Sequence, residues 1–142
     1  MKANRLMNKE EFIKRLATLC LKSGLSDLPK DLRDQHILLK SIELTLEPSG
    51  TFTEKEINEQ IKKWVDDVSQ IKGLDQATLR RRLIDTGYLK RSKDGTTYQL
   101  TPGSSQKEYF DESVDQLDIP MEIEKAREEI ETRKRDYLRR EK

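Results

Sequence analysis

The chain has 142 residues, with 28 Lys and Arg against 27 Asp and Glu, for a formal charge of +1. The length suits one compact domain with some added helix and excludes two full domains. The near-zero charge excludes a chain that is polybasic throughout, so any nucleic-acid-binding patch has to be local.

Asn8-Lys9-Glu10-Glu11 predicts an N-cap answered by a Glu three residues on. Phe12, Ile13, Leu16, Leu19 and Cys20 follow at helical spacing until Gly24 stops the helix. A second helix is expected from Asp31 to Leu46, with Leu32, Leu39, Ile42 and Leu46 on its apolar stripe. Pro48-Ser49-Gly50 breaks the chain, Thr51-Phe52-Thr53 reads as a short strand, and Thr53 with Glu56 forms another capping box. Ile57, Ile61, Trp64, Val65 and Val68 make the third helix amphipathic. Asp75 caps a fourth, Gln76 to Thr86, closed by Gly87. The β-favouring runs Tyr88–Arg91 and Thr96–Leu100 flank Ser92-Lys93-Asp94-Gly95, whose Asp-Gly pair predicts a hairpin turn. A polar stretch then reads as linker, and Met121 to Arg140 as a charged helix. Acidic residues lead in that helix and basic ones trail, complementing its dipole.

The succession from Asp31 to Leu100 is that of a winged helix, a helix-turn-helix core with a β-hairpin attached. The expected fold is α+β and mostly helical, with added N- and C-terminal helices. Its parts are an N-terminal helical extension (1–27), a winged-helix-like domain (28–101), a linker (102–120) and a charged C-terminal helix (121–142). Charged residues are 39% of the chain, yet Leu, Ile, Val and Phe number 34, enough for a core. No apolar stretch approaches the length of a membrane span. The N-terminus lacks a signal-peptide core, and the lone Cys20 cannot form an internal disulfide, so a cytoplasmic protein is expected.

Convergent catalytic groups are scarce. His36 is the single histidine and sits in a core-packing helix, so it lacks the partners of a metal site or a triad. Cys20 lies on an apolar stripe, where a free cysteine behaves as a small hydrophobe. No Gly-rich phosphate loop, Cys-x-x-Cys pair or acidic metal constellation is present. The chain is expected not to be an enzyme and to need no cofactor or metal.

The strongest chemical signal is a run of cations. Between Asp75 and Gly95, Arg80, Arg81, Arg82, Lys90, Arg91 and Lys93 outnumber Asp75, Asp85 and Asp94 by three. A helix in the major groove with a wing on the backbone needs such a distribution. On a helical wheel with Leu79 at zero, Leu83 falls near 40°, Arg80 near 100° and Ile84 near 140°, at about 100° per residue. Arg80 therefore lies within the apolar arc, with its stem packed and its head paired. Arg82 is expected to be the freest of the three. Arg81 comes second, because Asp85 stands one turn away and can neutralise it. The expected contacts to duplex DNA are Thr78, Arg81, Arg82, Lys90, Arg91 and Lys93.

The same residues carry a family resemblance. The run Asp75-Gln76-Ala77-Thr78-Leu79-Arg80-Arg81-Arg82-Leu83-Ile84-Asp85-Thr86-Gly87-Tyr88-Leu89-Lys90-Arg91-Ser92-Lys93-Asp94-Gly95-Thr96-Thr97-Tyr98 resembles the signature D-x-A-T-L-R-R-x-L-V-D-x-G-x-L-x-R-x-x-D-G-x-x-Y. Upstream, Phe52-Thr53-Glu54-Lys55-Glu56-Ile57-Asn58 resembles Y-T-E-K-E-V-N. Both motifs are those of an uncharacterised bacterial family, domain of unknown function number twenty eighty-seven, over Leu28 to Leu100. It occurs alone or attached to helix-turn-helix regulators, so the resemblance implies a transcription-related role. It also marks Glu56, Leu79, Arg80, Leu83, Asp85, Gly87, Asp94 and Gly95 as a structural signature. One departure stands out: Asp66 to Leu74 intervenes where the family passes quickly from the third helix to the Asp-x-Ala-Thr-Leu motif, and a tight helix-turn-helix turn has only three or four residues. Two functions are therefore expected in competition. One is a duplex-DNA-binding protein in transcriptional control, acting as a dimer. The other is a non-enzymatic protein-interaction module, with a wing salt-bridged internally and contacts made by the terminal helices.

Overall fold

The computed structural model describes residues 6–46, 50–71, 73–101 and 109–140. The fold is α+β and mostly helical, in the order α1 (Lys9–Ala17), α2 (Leu32–Thr45), β1 (Thr51–Thr53), α3 (Glu54–Trp64), α4 (Gln76–Asp85), β2 (Leu89–Arg91), β3 (Thr97–Leu100) and α5 (Ile119–Arg140). The strands form one antiparallel sheet ordered β1-β3-β2, with Phe52 opposite Tyr98 and Lys90 opposite Gln99. The expected caps are in place. Asn8 and Thr53 make reciprocal boxes with Glu11 and Glu56, while Asp31 and Asp75 accept from the backbone N–H three residues on.

Helix α2 is the centre of the molecule. A one-sided stripe was expected for it, but Asp34 and the whole run from His36 to Ile42 are buried, while Leu32 is 53% exposed. A helix covered on nearly every side has to satisfy its polar groups with neighbours. Asp34 accepts both Arg15 guanidinium bonds from α1, at 2.9 and 2.7 Å. Buried Lys40 pairs with Glu43 at 2.6 Å and with Asp115 at 2.7 Å. Ser41 Oγ accepts from the Trp64 indole of α3 at 2.9 Å. His36 Nδ1 bonds the Tyr88 hydroxyl at 2.8 Å, and its ring stacks on Tyr109.

These bonds draw the described parts of the flanks against the core. Phe12 and Leu16 of α1 are fully buried. Within 102–120, residues 102–108 lie outside the described residues, and 109–117 is a packed strap rather than linker. Met7 N–H donates to Tyr109 O and Asp111 N–H to Met7 O, while Phe110 meets the Phe12 ring edge-on at 5.3 Å. Val114 is fully buried. Phe110, Val114 and Leu117 stand at helical spacing (i, i+4, i+7), but the run is only two turns long and crowded with acids, so pattern reading passes over them. Helix α5 starts at Ile119, two residues before the expected Met121. Asp118 accepts from Met121 N–H, and Pro120 sits in the first turn, where no donor is needed.

The intervening Asp66–Leu74 segment is also structured at its described residues, 66–71 and 73–74. Helices α1 and α3 end alike, in a wide turn closed by an i→i+5 bond (Ser23 N–H to Thr18 O, Gln70 N–H to Val65 O). In each turn the last serine bonds back to a helix carbonyl. Val68, Ile71 and Leu74 are buried, and Gly73 lies against the chain at Ser26. The segment thus docks onto the run that follows α1. A Cβ at position 73 would clash with the Ser26 carbonyl oxygen. In the hairpin, Asp94 accepts from Ser92 Oγ, Thr96 N–H and Thr96 Oγ1, which holds its carboxyl at about 2. Gly95 follows at φ +76°, the left-handed conformation the turn needs.

Gly73→Ala is expected to lower stability by about 1–3 kcal/mol, because backbone has to move to admit the methyl group. Thermal melting of the two proteins checks this, and equal midpoints would mean that 73 and 26 lie apart. The Asp94 carboxyl is depressed from about 3.9 in an unfolded chain. Its stabilisation of the turn is therefore complete above about pH 4 and lost as pH falls toward 2. The Thr96 amide resonance should titrate with a midpoint near 2; a midpoint near 4 would show that the turn bonds do not form.

Candidate nucleic-acid interface

Leu79 and Leu83 are fully buried and fix the rotation of α4 about its axis. Thr86 and Gly87 then turn the chain, Gly87 at φ +88°, and Tyr88 N–H donates to Leu83 O at 2.8 Å. The hairpin is thereby hung directly from the end of α4. The cations of both elements consequently hold fixed places, and those places differ.

Arg80 is turned inward, as the wheel indicates. It donates to Asn58 Oδ1 at 2.5 Å, stands 3.8 Å from Glu54 and lies over the Tyr98 ring at 5.8 Å. Arg91 is also committed. It lies over the same ring at 5.9 Å and donates through Nε to Gly95 O at 3.3 Å. Tyr98 completes the cluster by donating to Glu54 at 3.4 Å. Helix α3, helix α4 and the hairpin are thus tied at one buried tyrosine.

Arg82 corrects the expected ranking. It is half-buried and donates to Gln35 Oε1 at 2.9 Å, and Gln35 in turn donates to Pro29 O. The wheel gives the direction of Arg82 but not the presence of α2 in that direction. Arg81 is the free one. It is exposed, and among the described residues neither its side chain nor that of Asp85 has a hydrogen bond or ion pair, so the expected neutralising pair does not form. Lys90 and Lys93 are likewise exposed and unpaired among the described residues. Thr78 is exposed, but its hydroxyl donates to Asp75, the N-cap, whose carboxyl is held low chiefly by the Thr78 N–H. Of six expected contacts, Arg81, Lys90 and Lys93 are open, whereas Thr78, Arg82 and Arg91 have partners of their own.

The signature residues resolve into separate tasks. Leu79 and Leu83 are core, Glu56 and Asp94 close a cap and a turn, and Gly87 and Gly95 take left-handed backbone. Sequence reasoning missed Asn58, Tyr98 and Gln35. Asn58 and Tyr98 each end one of the two motifs, a position that could have flagged them; Gln35 carries no such mark.

Other reactive groups are turned to packing. Burial pushes the Cys20 thiol up to about 12, so it stays protonated at neutral pH. Burial likewise raises Tyr88, which spends its hydroxyl on His36. Among the described residues no group of three or more His, Cys, Asp and Glu could hold a metal ion. No described helix is long and apolar enough to cross a membrane.

No curated protein and no solved structure matches the chain. One family profile does, described as an uncharacterized protein conserved in bacteria (DUF2087), over residues 24–100. The match takes in everything from α2 to β3 and stops short of α1 and α5. More than half of the chain is covered, and it includes the whole cluster around Tyr98. The chain belongs to this bacterial family.

Proposed function

We propose that this protein is a winged-helix protein that binds duplex DNA and acts in transcriptional control. The observation that carries the reading is the trio Arg81, Lys90 and Lys93, exposed and unpaired among the described residues on α4 and the hairpin. The order α2-β1-α3-α4-β2-β3 supports it, with β1 paired to the far strand of the hairpin. In this reading α4 enters the major groove with Arg81 toward a guanine edge, while Lys90 and Lys93 hold phosphates. Thr78, Arg82 and Arg91 position these elements and do not touch DNA. Three cations per copy make a modest electrostatic footprint, so binding is weak and sensitive to salt.

A second reading, a protein-interaction module, draws on the Tyr98 cluster. Arg80 and Arg91 satisfy groups of this chain there, which is how a wing serves as scaffold.

Anisotropy of labelled duplex DNA across a salt series separates the two. DNA binding predicts that log affinity falls with log salt at a slope of about −3 per copy bound. Arg81→Glu with Lys93→Glu should abolish binding and leave the circular dichroism and melting midpoint unchanged. Arg80→Ala should instead lower the midpoint, by about 1–2 kcal/mol of stability, through loss of its bonds to Asn58 and Glu54. No binding to any duplex at low salt would reject the first reading in favour of the second.

A further inference from the structure

Helix α5 belongs to the body of the molecule for only part of its length. Ile119 and Ile123 are buried and Ala126 and Ile130 half-buried, but every residue from 131 to 140 is exposed. At 1.5 Å per residue, this leaves about 15 Å of helix standing clear. The buried stripe continues onto it. At about 100° per residue, Ile119, Ile123, Ala126, Ile130 and Tyr137 share one face, with Leu138 at its edge. Tyr137 and Leu138 are 64% and 62% exposed, and with Arg133 and Lys134 they wall an apolar hollow. Where α5 leaves the body, the same face borders a cleft of about 590 Å³ against α1, in which Ile13, Ala17, Ala126 and Ile130 stand among charged residues such as Lys14 and Glu129. One molecule therefore offers both an apolar ridge and a cleft with apolar residues in its wall.

Charge selects what covers them. Residues 119–131 carry five acids and two bases, whereas 132–140 carry five bases and one acid. Two copies of α5 laid antiparallel set each acidic half against the other's basic half, while a parallel pair sets like against like. Such a pair is two-fold symmetric, so ridge meets cleft twice.

We infer that this protein forms a homodimer through antiparallel pairing of α5, with Tyr137 and Leu138 of each copy covering the α1–α5 cleft of the other. The inference does not rest on the DNA-binding reading, and its readout is mass. Sedimentation equilibrium of the full chain is expected to give twice its 16.7 kDa. Tyr137→Glu with Leu138→Glu should give a monomer with an unchanged circular dichroism spectrum, since both side chains lie outside the core. Reversing the basic end (Arg133→Glu, Arg139→Glu) or the acidic half (Glu128→Lys, Glu131→Lys) should each favour monomers, and mixing the two variants should restore dimers. A wild-type monomer at every concentration would overturn the inference, including one whose basic end captures duplex DNA instead. So would a dimer indifferent to Tyr137→Glu and Leu138→Glu, or a mixture that fails to re-associate.

Discussion

Everything in this fold is arranged around the polar groups of one buried helix. Helix α2 carries Asp34, Gln35, His36, Lys40 and Ser41, and each is met by a different neighbour: Arg15 of α1, Arg82 of α4, Tyr88 before β2, Asp115 of the strap and Trp64 of α3. An apolar helix would accept many packings, because hydrophobic contact is not directional. A buried carboxylate or ammonium does not, since leaving it unpaired costs several kcal/mol. The polar residues of α2 therefore act as keys that fix which element lies on which side. Lys40 illustrates the point: it is 4% exposed, and its two carboxylates come from its own helix and from a segment 75 residues on.

That arrangement has a consequence at the candidate interface. A chain with 28 basic side chains leaves only a few free where α4 and the hairpin meet solvent. Arg82 is taken by a key of α2, and Arg80 and Arg91 by the Tyr98 cluster, so the charge that builds the site is largely consumed in building it. Arg81, Lys90 and Lys93 stand out because the same scaffold that neutralises their neighbours holds them outward. Meanwhile the overall charge stays near zero through acids elsewhere, many of them in the first half of α5.

The sequence makes the local structure legible and the long-range docking much less so. Caps at Asn8, Asp31, Thr53 and Asp75, and the turn at Asp94-Gly95, are encoded within three or four residues and are found where pattern reading puts them. The inward direction of Arg80 follows from Leu79 and Leu83, one turn apart on the same helix. The partner of Arg82 lies 47 residues away, and no local rule contains it. The strap fails for another reason: Phe110, which meets Phe12 of α1, and Val114 and Leu117 span only two turns among acids, too short a run for their spacing to declare itself. The Asp66–Leu74 segment reads as an interruption until Gly73 is seen against Ser26; it serves the docking of α1 rather than the approach of α3 to α4.

If the polar keys of α2 do integrate the flanks, then α1, α2 and the strap open as one unit. Native-state hydrogen exchange on the intact chain measures this most directly, because it gives each amide its own opening free energy. Amides of α1, of the segment 109–117 and of the α2 interior should then exchange with a common free energy, equal to that of global unfolding. Flanks that open well before α2 would contradict the account and restore the picture of a core domain with loosely added helices.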